Sequence, residues 1–362
     1  MSVLLMLLLF LHGLIHFMGF AKAFSLAEIP ALSQSISKPL GLLWLLAGLL
    51  LLGAMLAFYL KRPEWWWPGA VGLVISQGLI ISSWQDARFG SLANLLLVLP
   101  VLVGAGSDSF ARQIQAERAQ IQTLPMVPTQ IVTEQDLSAL PPIVQKWLMR
   151  SGQVGHKQTQ TLSLSQSGSM RTSQQSQWMS FTADQFFRAD QPTFHWRTRV
   201  EMIPGVFLVG RDRLWQGQGQ MLIKALALVP VVNASGPEID QGSYLRYLAE
   251  MIWFPSSVLQ SWIKWENVDK TSARAYLNWQ DHSFSGLYRF SPEGDFRSFE
   301  AQRYYGSNSP PSLETWLVEA EPDSIKAFGH LRLASRYRVI WKLKSGDFLW
   351  LKIQLGSMDF KS

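Results

Sequence analysis

Four apolar runs crowd the first 106 residues, near 2–20, 40–60, 66–84 and 91–106, and any fold must take them out of water. About 20 largely apolar residues in a helix cross the roughly 30 Å of bilayer hydrocarbon. The first three runs meet that length, and the fourth, which contains Pro100, meets it when extended to Phe110. Trp65, Trp66, Trp67 and Trp84 flank the third run, where indole rings anchor a helix at headgroup level. A cleaved signal peptide is the alternative for the first run, but it lacks a basic leader and is longer than the usual apolar core of such peptides. We therefore expect a four-helix transmembrane domain over 1–106.

Charge density changes at that boundary. Of the 32 Lys/Arg and 26 Asp/Glu, only 5 and 3 precede residue 107, so the remainder has the balance of a water-facing domain. With no cysteine, disulfides, thiolate metal sites and cysteine nucleophiles are excluded. Basic residues give orientation little leverage. With four crossings, Lys61, Arg62, Arg112 and Arg118 share one side and Lys22, Lys38 and Arg88 the other, a slight bias toward a cytoplasmic C-terminal domain in the inner membrane.

Residues 107–132 read as a polar helix running into a Pro-containing linker, and Pro141-Pro142 opens a short helix that ends at Ser151-Gly152. From Thr159 the period becomes two. Strand-like runs recur near 178–188, 194–203, 206–216, 219–224, 273–280, 283–291, 296–304, 313–319, 331–341 and 347–356, with turn residues between many of them. Such hairpin spacing over 133–362 predicts an antiparallel β-rich domain whose sheet must curve or close. Leu245, Leu248, Met251 and Ile252 interrupt it at helical spacing, so a central amphipathic helix pair is expected over 240–263, capped by Asp240 or Ser243. The predicted fold class is thus a membrane α-helical region followed by an α+β domain dominated by a curved antiparallel sheet. The apolar face of the inserted helices has one destination, the concave side of that sheet.

Several residues stand out for chemistry. His12 and His16 lie four apart on one helical face, and Gln77 and Asn94 lie inside the third and fourth apolar runs. HGLIH lacks the glutamate of a zinc-protease HExxH, so a helix-to-helix hydrogen-bonding role is favoured over a cofactor ligand or a proton relay. Arg211, Asp212, Glu238 and Asp240 are the polar candidates. As paired carboxylates Glu238 and Asp240 would suit acid–base hydrolysis, but caps and ion pairs explain the group without chemistry. His156, His195, His282 and His330 are scattered singly. Phosphate loops, dinucleotide fingerprints and nucleophile elbows are absent from the sequence, so no catalytic residue, metal or cofactor is assigned. The net charge of +6 suits anionic headgroups, whereas the basic residues are too diluted for nucleic acid.

Beyond these patterns, HGLIHFMGFAKAF at 12–24, SWQDARFGSLAN at 83–94, LPPIVQKWLMRSG at 140–152, the stretch GRDRLW…IWFPS at 210–256 and FEAQRY at 299–304 together resemble a family of bacterial membrane proteins of unknown function. The resemblance brings no activity and no site residues. In element order the C-terminal part also resembles the lipoprotein-carrier half-barrel, which implies strands around helices on a concave face. The favoured function is a membrane-anchored module holding a lipid or other apolar ligand on residues Met202, Phe207, Leu222, Leu245, Leu248, Met251, Ile252 and Trp253. A structural or assembly protein with no ligand is the main alternative, a membrane-associated hydrolase the lesser one. Partners beyond the lipid bilayer are not legible.

Overall fold

A computed structural model describes residues 2–306 and 310–362. The chain packs as two compact units, one built from the residues up to Gln115 with Leu226–Val229, the other from Ala116–Ala225 with Pro230–Ser362.

The first unit is helical: α1 (Ser2–Ala23), α2 (Lys38–Tyr59), α3 (Trp66–Ser82), the single turn α4 (Trp84–Ala87) and most of α5 (Gly90–Gln122). Three of these, Val3–Ala23, Lys38–Tyr59 and Gly90–Gln122, are long and apolar enough to cross a membrane. The expected third span is shorter than its apolar run. It begins at Trp66 as expected but stops at Ser82, where Ser83 separates the 17-residue α3 from the single turn α4. The fourth apolar run and the polar helix expected after it form one element, since α5 continues for 33 residues through Pro100 into the polar stretch. One proline removes a single backbone donor, which neighbouring groups in a bundle absorb. Glycines let α1 and α2 close on each other. A Cβ on Gly19 would fall 2.3 Å from the Trp44 ring, and one on Gly48 2.9 Å from the Gly13 carbonyl.

The second unit is one 13-stranded antiparallel sheet with helices on it. Its strands are β1 (Thr161–Met170), β2 (Met179–Arg188), β3 (Thr193–Ile203), β4 (Val206–Trp215), β5 (Gln218–Ala225), β6 (Val229–Ser235), β7 (Ile263–Asn267), β8 (Ser272–Trp279), β9 (His282–Phe290), β10 (Phe296–Tyr305) and β11 (Ser312–Ala320). After them come a separate two-stranded hairpin, β12 (Ile325–Phe328) with β13 (Leu331–Ala334), then β14 (Arg336–Leu343) and β15 (Gly346–Lys361). The spatial order is β6-β5-β4-β3-β2-β1-β15-β14-β11-β10-β9-β8-β7. Two meanders are therefore zipped together by the first and last strands, with Thr161 opposite Lys361.

The helix α7 (Pro237–Glu250) touches β4 and β5 on one side and β8, β9 and β10 on the other. In a flat sheet, eight strand spacings between β5 and β10 would span about 38 Å. A helix about 10–12 Å across reaches both only because the sheet curls around it. The resulting half-barrel is packed with aromatic and aliphatic side chains. Phe187, Phe194, Tyr244, Tyr247, Tyr288, Phe299 and Trp253 are each 0–1% exposed within one continuous core.

The expected helix pair resolves into one α-helix followed by two 3-10 turns, Met251–Trp253 and Pro255–Leu259. Pro237 occupies the helix entrance behind Gly236, whose φ of 111° places it where glycine is favoured. The helix thus starts before both expected caps, Asp240 and Ser243. The shorter α6 (Pro142–Arg150) follows the expected pattern, with proline at its entry and Gly152 at φ +80° beyond its end. Its Trp147 packs against Tyr288 and Phe290.

Candidate functional site

Alternation along the strands decides which side chains meet α7. On β3 and β4, Phe194, Trp196, Leu214 and Asp212 face the concave side, and His195, Arg211 and Arg213 the convex side. Most of the concave side is apolar, but a string of polar groups crosses it. The Trp196 indole N–H donates to Gln166 Oε1 at 2.8 Å, Gln166 donates to Gln185 at 3.2 Å, and Gln185 donates to Glu250 Oε2 at 2.8 Å. Arg246 of α7 then bridges Glu250 at 2.9 Å and Asp212 at 3.1 Å, with its guanidinium over the rings of Phe194 and Trp196. Burial raises the pKa of both Asp212 and Glu250, and the Arg246 charge works against that rise. Arg303 approaches from β10 and is pushed down to about 10 by burial and by repulsion from Arg246. It comes so close to α7 that a Cβ on Gly242 would lie 3.0 Å from its Nε. The helix is therefore held on the sheet by ion pairs as well as by apolar contact.

An open cleft lies beside this core, among α6, the β9–β10 turn and the β12–β13 hairpin. The room in it is about 20 Å³, that of one water. Trp147, Ile252, Leu333 and Tyr337 form its buried floor. Its rim carries Arg150 and Arg332, both ion-paired to Asp295, the former at 2.7 Å. Those two guanidiniums draw the Asp295 carboxyl below its ordinary range against the opposing effect of burial.

On the convex side, the last turns of α5 meet β2–β4. Glu117 accepts from His195 Nε2 at 2.9 Å and pairs with Arg211 at 3.2 Å and Arg213 at 3.6 Å. Arg118 donates to His195 Nδ1, which fixes the neutral tautomer with its proton on Nε2, and burial lowers the His195 pKa accordingly. Arg188, 1% exposed, grips Asp190 and donates to the carbonyls of Ile121, Leu124 and Pro125 at the exit of α5.

In the helical unit the polar residues join helices. His12 Nε2 meets Asn94 Oδ1 at 2.8 Å and Ser76 Oγ at 3.2 Å, and Asn94 donates to Gln77, which donates to Ser91. His16 donates from Nδ1 to the His12 carbonyl at 2.7 Å, while its buried Nε2 has no hydrogen-bond partner among the described residues.

Not all of the expected ligand residues share a surface. Leu245, Leu248, Met251, Ile252 and Trp253 sit together in the concave core at 0–2% exposure. Phe207 and Leu222 occupy convex positions, since Leu222 lies directly opposite Arg211 and Phe207 shares the parity of Arg211 on β4. Met202 lies beside the register shift at the β3–β4 turn and is 46% exposed. One cavity cannot collect all eight. The polar candidates do not converge either. Arg211 and Asp212 are on opposite faces, Asp240 accepts from the Gly219 amide at 2.6 Å, and Glu238 is exposed. Sequence reading missed Gln166, Gln185, Arg246, Arg303, Arg188 and Glu117. Only Arg246 and Glu250, one helical turn apart on an apolar face, left a local signal.

Fold and site together define a helical unit with membrane-length apolar helices, followed by an antiparallel half-barrel closed over one helix. The chain belongs to a family of unknown function, DUF6544, whose profile matches residues 130–353. None of the curated proteins matches it. Two solved structures are similar at low scores. A domain from Vibrio parahaemolyticus named for outer membrane lipoprotein sorting gives a TM-score of 0.33 at 8% identity, covering 56% of this chain and 86% of its own. A DUF1329 family protein from Desulfovibrio piger gives 0.32 at 10% identity with the same coverages. Likeness this distant carries neither ligand nor activity across.

Proposed function

We propose that the protein is a binding module for a lipid or other apolar ligand, anchored in the cell's inner membrane by four helices, with its half-barrel on the cytoplasmic side. The observation that carries this reading is the curled sheet, whose concave side is a continuous apolar lining around α7. Leu245, Leu248, Met251, Ile252 and Trp253 lie together in that lining as the residues an apolar chain would meet. Membrane anchoring through α3 as well is supported by its outward apolar side chains, with Val74 at 74% and Ile81 at 64% exposure.

The second reading, a structural or assembly protein, draws on the same core, because side chains at 0–2% exposure leave a ligand to displace the protein's own packing. Native mass spectrometry with lipid extraction on the full chain separates the two. One bound apolar molecule per chain supports the binding module, and a chain free of any such molecule supports the scaffold.

A further inference from the structure

We propose that the tip of the β3–β4 hairpin is a second membrane contact, which enters the headgroup layer of the bilayer that the helices cross. This rests on the membrane anchoring proposed above and is independent of any bound ligand.

The antiparallel register brings the β1–β2, β3–β4 and β5–β6 turns to one end of the sheet. That end is apolar where it meets solvent. Met202, Ile203 and Val206 are 46%, 62% and 36% exposed at the β3–β4 tip, Val229 and Val231 are 61% and 54% exposed on β6, and Trp178 before β2 is 37% exposed. At the opposite end the turns 189–192 and 216–217 expose no large apolar side chain. Turns favour Gly, Asn, Asp and Ser, and an exposed apolar patch marks a contact surface.

The β5–β6 turn says what covers this end. Leu226–Val229 packs with the helical unit, and a Cβ on Gly106 of α5 would fall 2.8 Å from both the Ala227 carbonyl oxygen and Leu228 Cδ2. Gly106 closes the fourth apolar run. Two residues on, Asp108 accepts from the Trp66 indole at 3.0 Å, within the tryptophan cluster that marks headgroup level. Leu226 and Ala227 hold φ of 51° and 60°, where glycine or asparagine is usual, so the turn keeps its apolar residues against a backbone penalty. The ladder then sets the height of the neighbouring tip. Leu208 lies opposite Ala225, so Val206, two residues nearer the tip, comes level with Ala227 one strand spacing away. Arg171 and Lys352 both stand over the Trp178 ring, each 4.8 Å from its centre. An indole bordered by cations suits the layer of lipid phosphates.

The chain has no native cysteine, so single introduced cysteines can each carry a nitrobenzoxadiazole fluorophore. The test places the full chain, one per disc, in nanodiscs of phosphatidylcholine and phosphatidylglycerol that contain lipid nitroxides near the head or near the tail end. Ile203 and Gln216 are both exposed, so a label at either leaves the core undisturbed. Ile203→Cys is expected to be quenched at least threefold more than Gln216→Cys at the opposite end, and more by the shallow nitroxide than by the deep one. Leu99→Cys, in the apolar run of α5 and 54% exposed, is expected to show the reverse depth preference. Quenching at Ile203 no greater than at Gln216, with Leu99 quenched by lipid, overturns the tip contact and leaves the membrane anchor standing. A fluorophore at Ile203 that is shielded from aqueous iodide yet untouched by the nitroxides also overturns it, in favour of a protein partner on the tip. Lipid quenching at neither Ile203 nor Leu99 removes the membrane anchoring itself, and the proposal with it.

Discussion

Arg188 shows how far one side chain can determine local structure. It is 1% exposed, and its five N–H groups are spent on Asp190 and on three carbonyls at the exit of α5. Removing one partner of a buried pair leaves the other charge, and here also helix-end carbonyls, without compensation. Arg188→Met is expected to lower unfolding free energy by about 3 kcal/mol, measured by denaturant titration of the full chain. Arg246 gives a prediction with a sign in pH. Without it, the burial that raises both pKa values loses its largest opponent, and only Arg303 and Arg211 at Asp212, and Gln185 and Arg303 at Glu250, still act against it. A raised carboxyl pKa favours folding while the group is protonated, and that gain is lost as pH climbs through the unfolded value near 4 toward the folded one. Arg246→Met should therefore be more destabilised at pH 7.5 than at pH 5, as thermal melts at the two values would show. Asp190 and Glu250 lie two and four positions from these arginines, but their other partners stand 34 to 67 positions away, where only the fold brings them in.

Among elements, the inner strands were legible and the edges were not. The run 206–216 appears as Val206–Trp215 and 283–291 as His282–Phe290, since their alternation mirrors burial on one face. The two edge strands, β6 and β7, went unread. Val229–Ser235 contains a proline and has little buried surface to impose a pattern, and Ile263–Asn267 follows directly on a helical stretch. The single run 331–341 splits at Ser335, whose hydroxyl and amide both donate to the Ser324 carbonyl. The hairpin this creates carries a pH-sensitive contact. His330 stacks on His156 with ring centroids 4.1 Å apart, and burial followed by the His156 charge lowers its pKa. A lowered imidazole pKa means the stabilisation is full above the unfolded value near 6.5 and is lost as pH falls through it. Hydrogen exchange of 325–334, corrected for intrinsic rates, is expected to be faster at pH 5.5 than at pH 7.5, and His330→Gln to flatten that difference. Gly242→Ala tests the contact between α7 and Arg303. It should cost up to about 2 kcal/mol in a denaturant titration, the roughly 1–3 kcal/mol of a crowded core insertion less the roughly 1 kcal/mol that alanine gains over glycine inside a helix.

For the whole molecule, the division into an apolar helical part and a β-rich part was legible because the solvent of each part is written into its composition. Of α5, the two halves were legible, an apolar run reaching Phe110 and a polar helix after it, but not their continuity through Pro100 to Gln122. Four crossings would put both ends of the chain on one face of the membrane, so reporter fusions at the two ends are expected to report the same compartment. The central claim is that the half-barrel takes an apolar ligand on its concave side. The most direct measurement is native mass spectrometry with lipid extraction on the full chain, alongside Leu248→Trp, which enlarges a side chain in that lining. One apolar molecule per wild-type chain is expected, and its loss in the variant. Equal lipid content in the two proteins, or none in either, would contradict it.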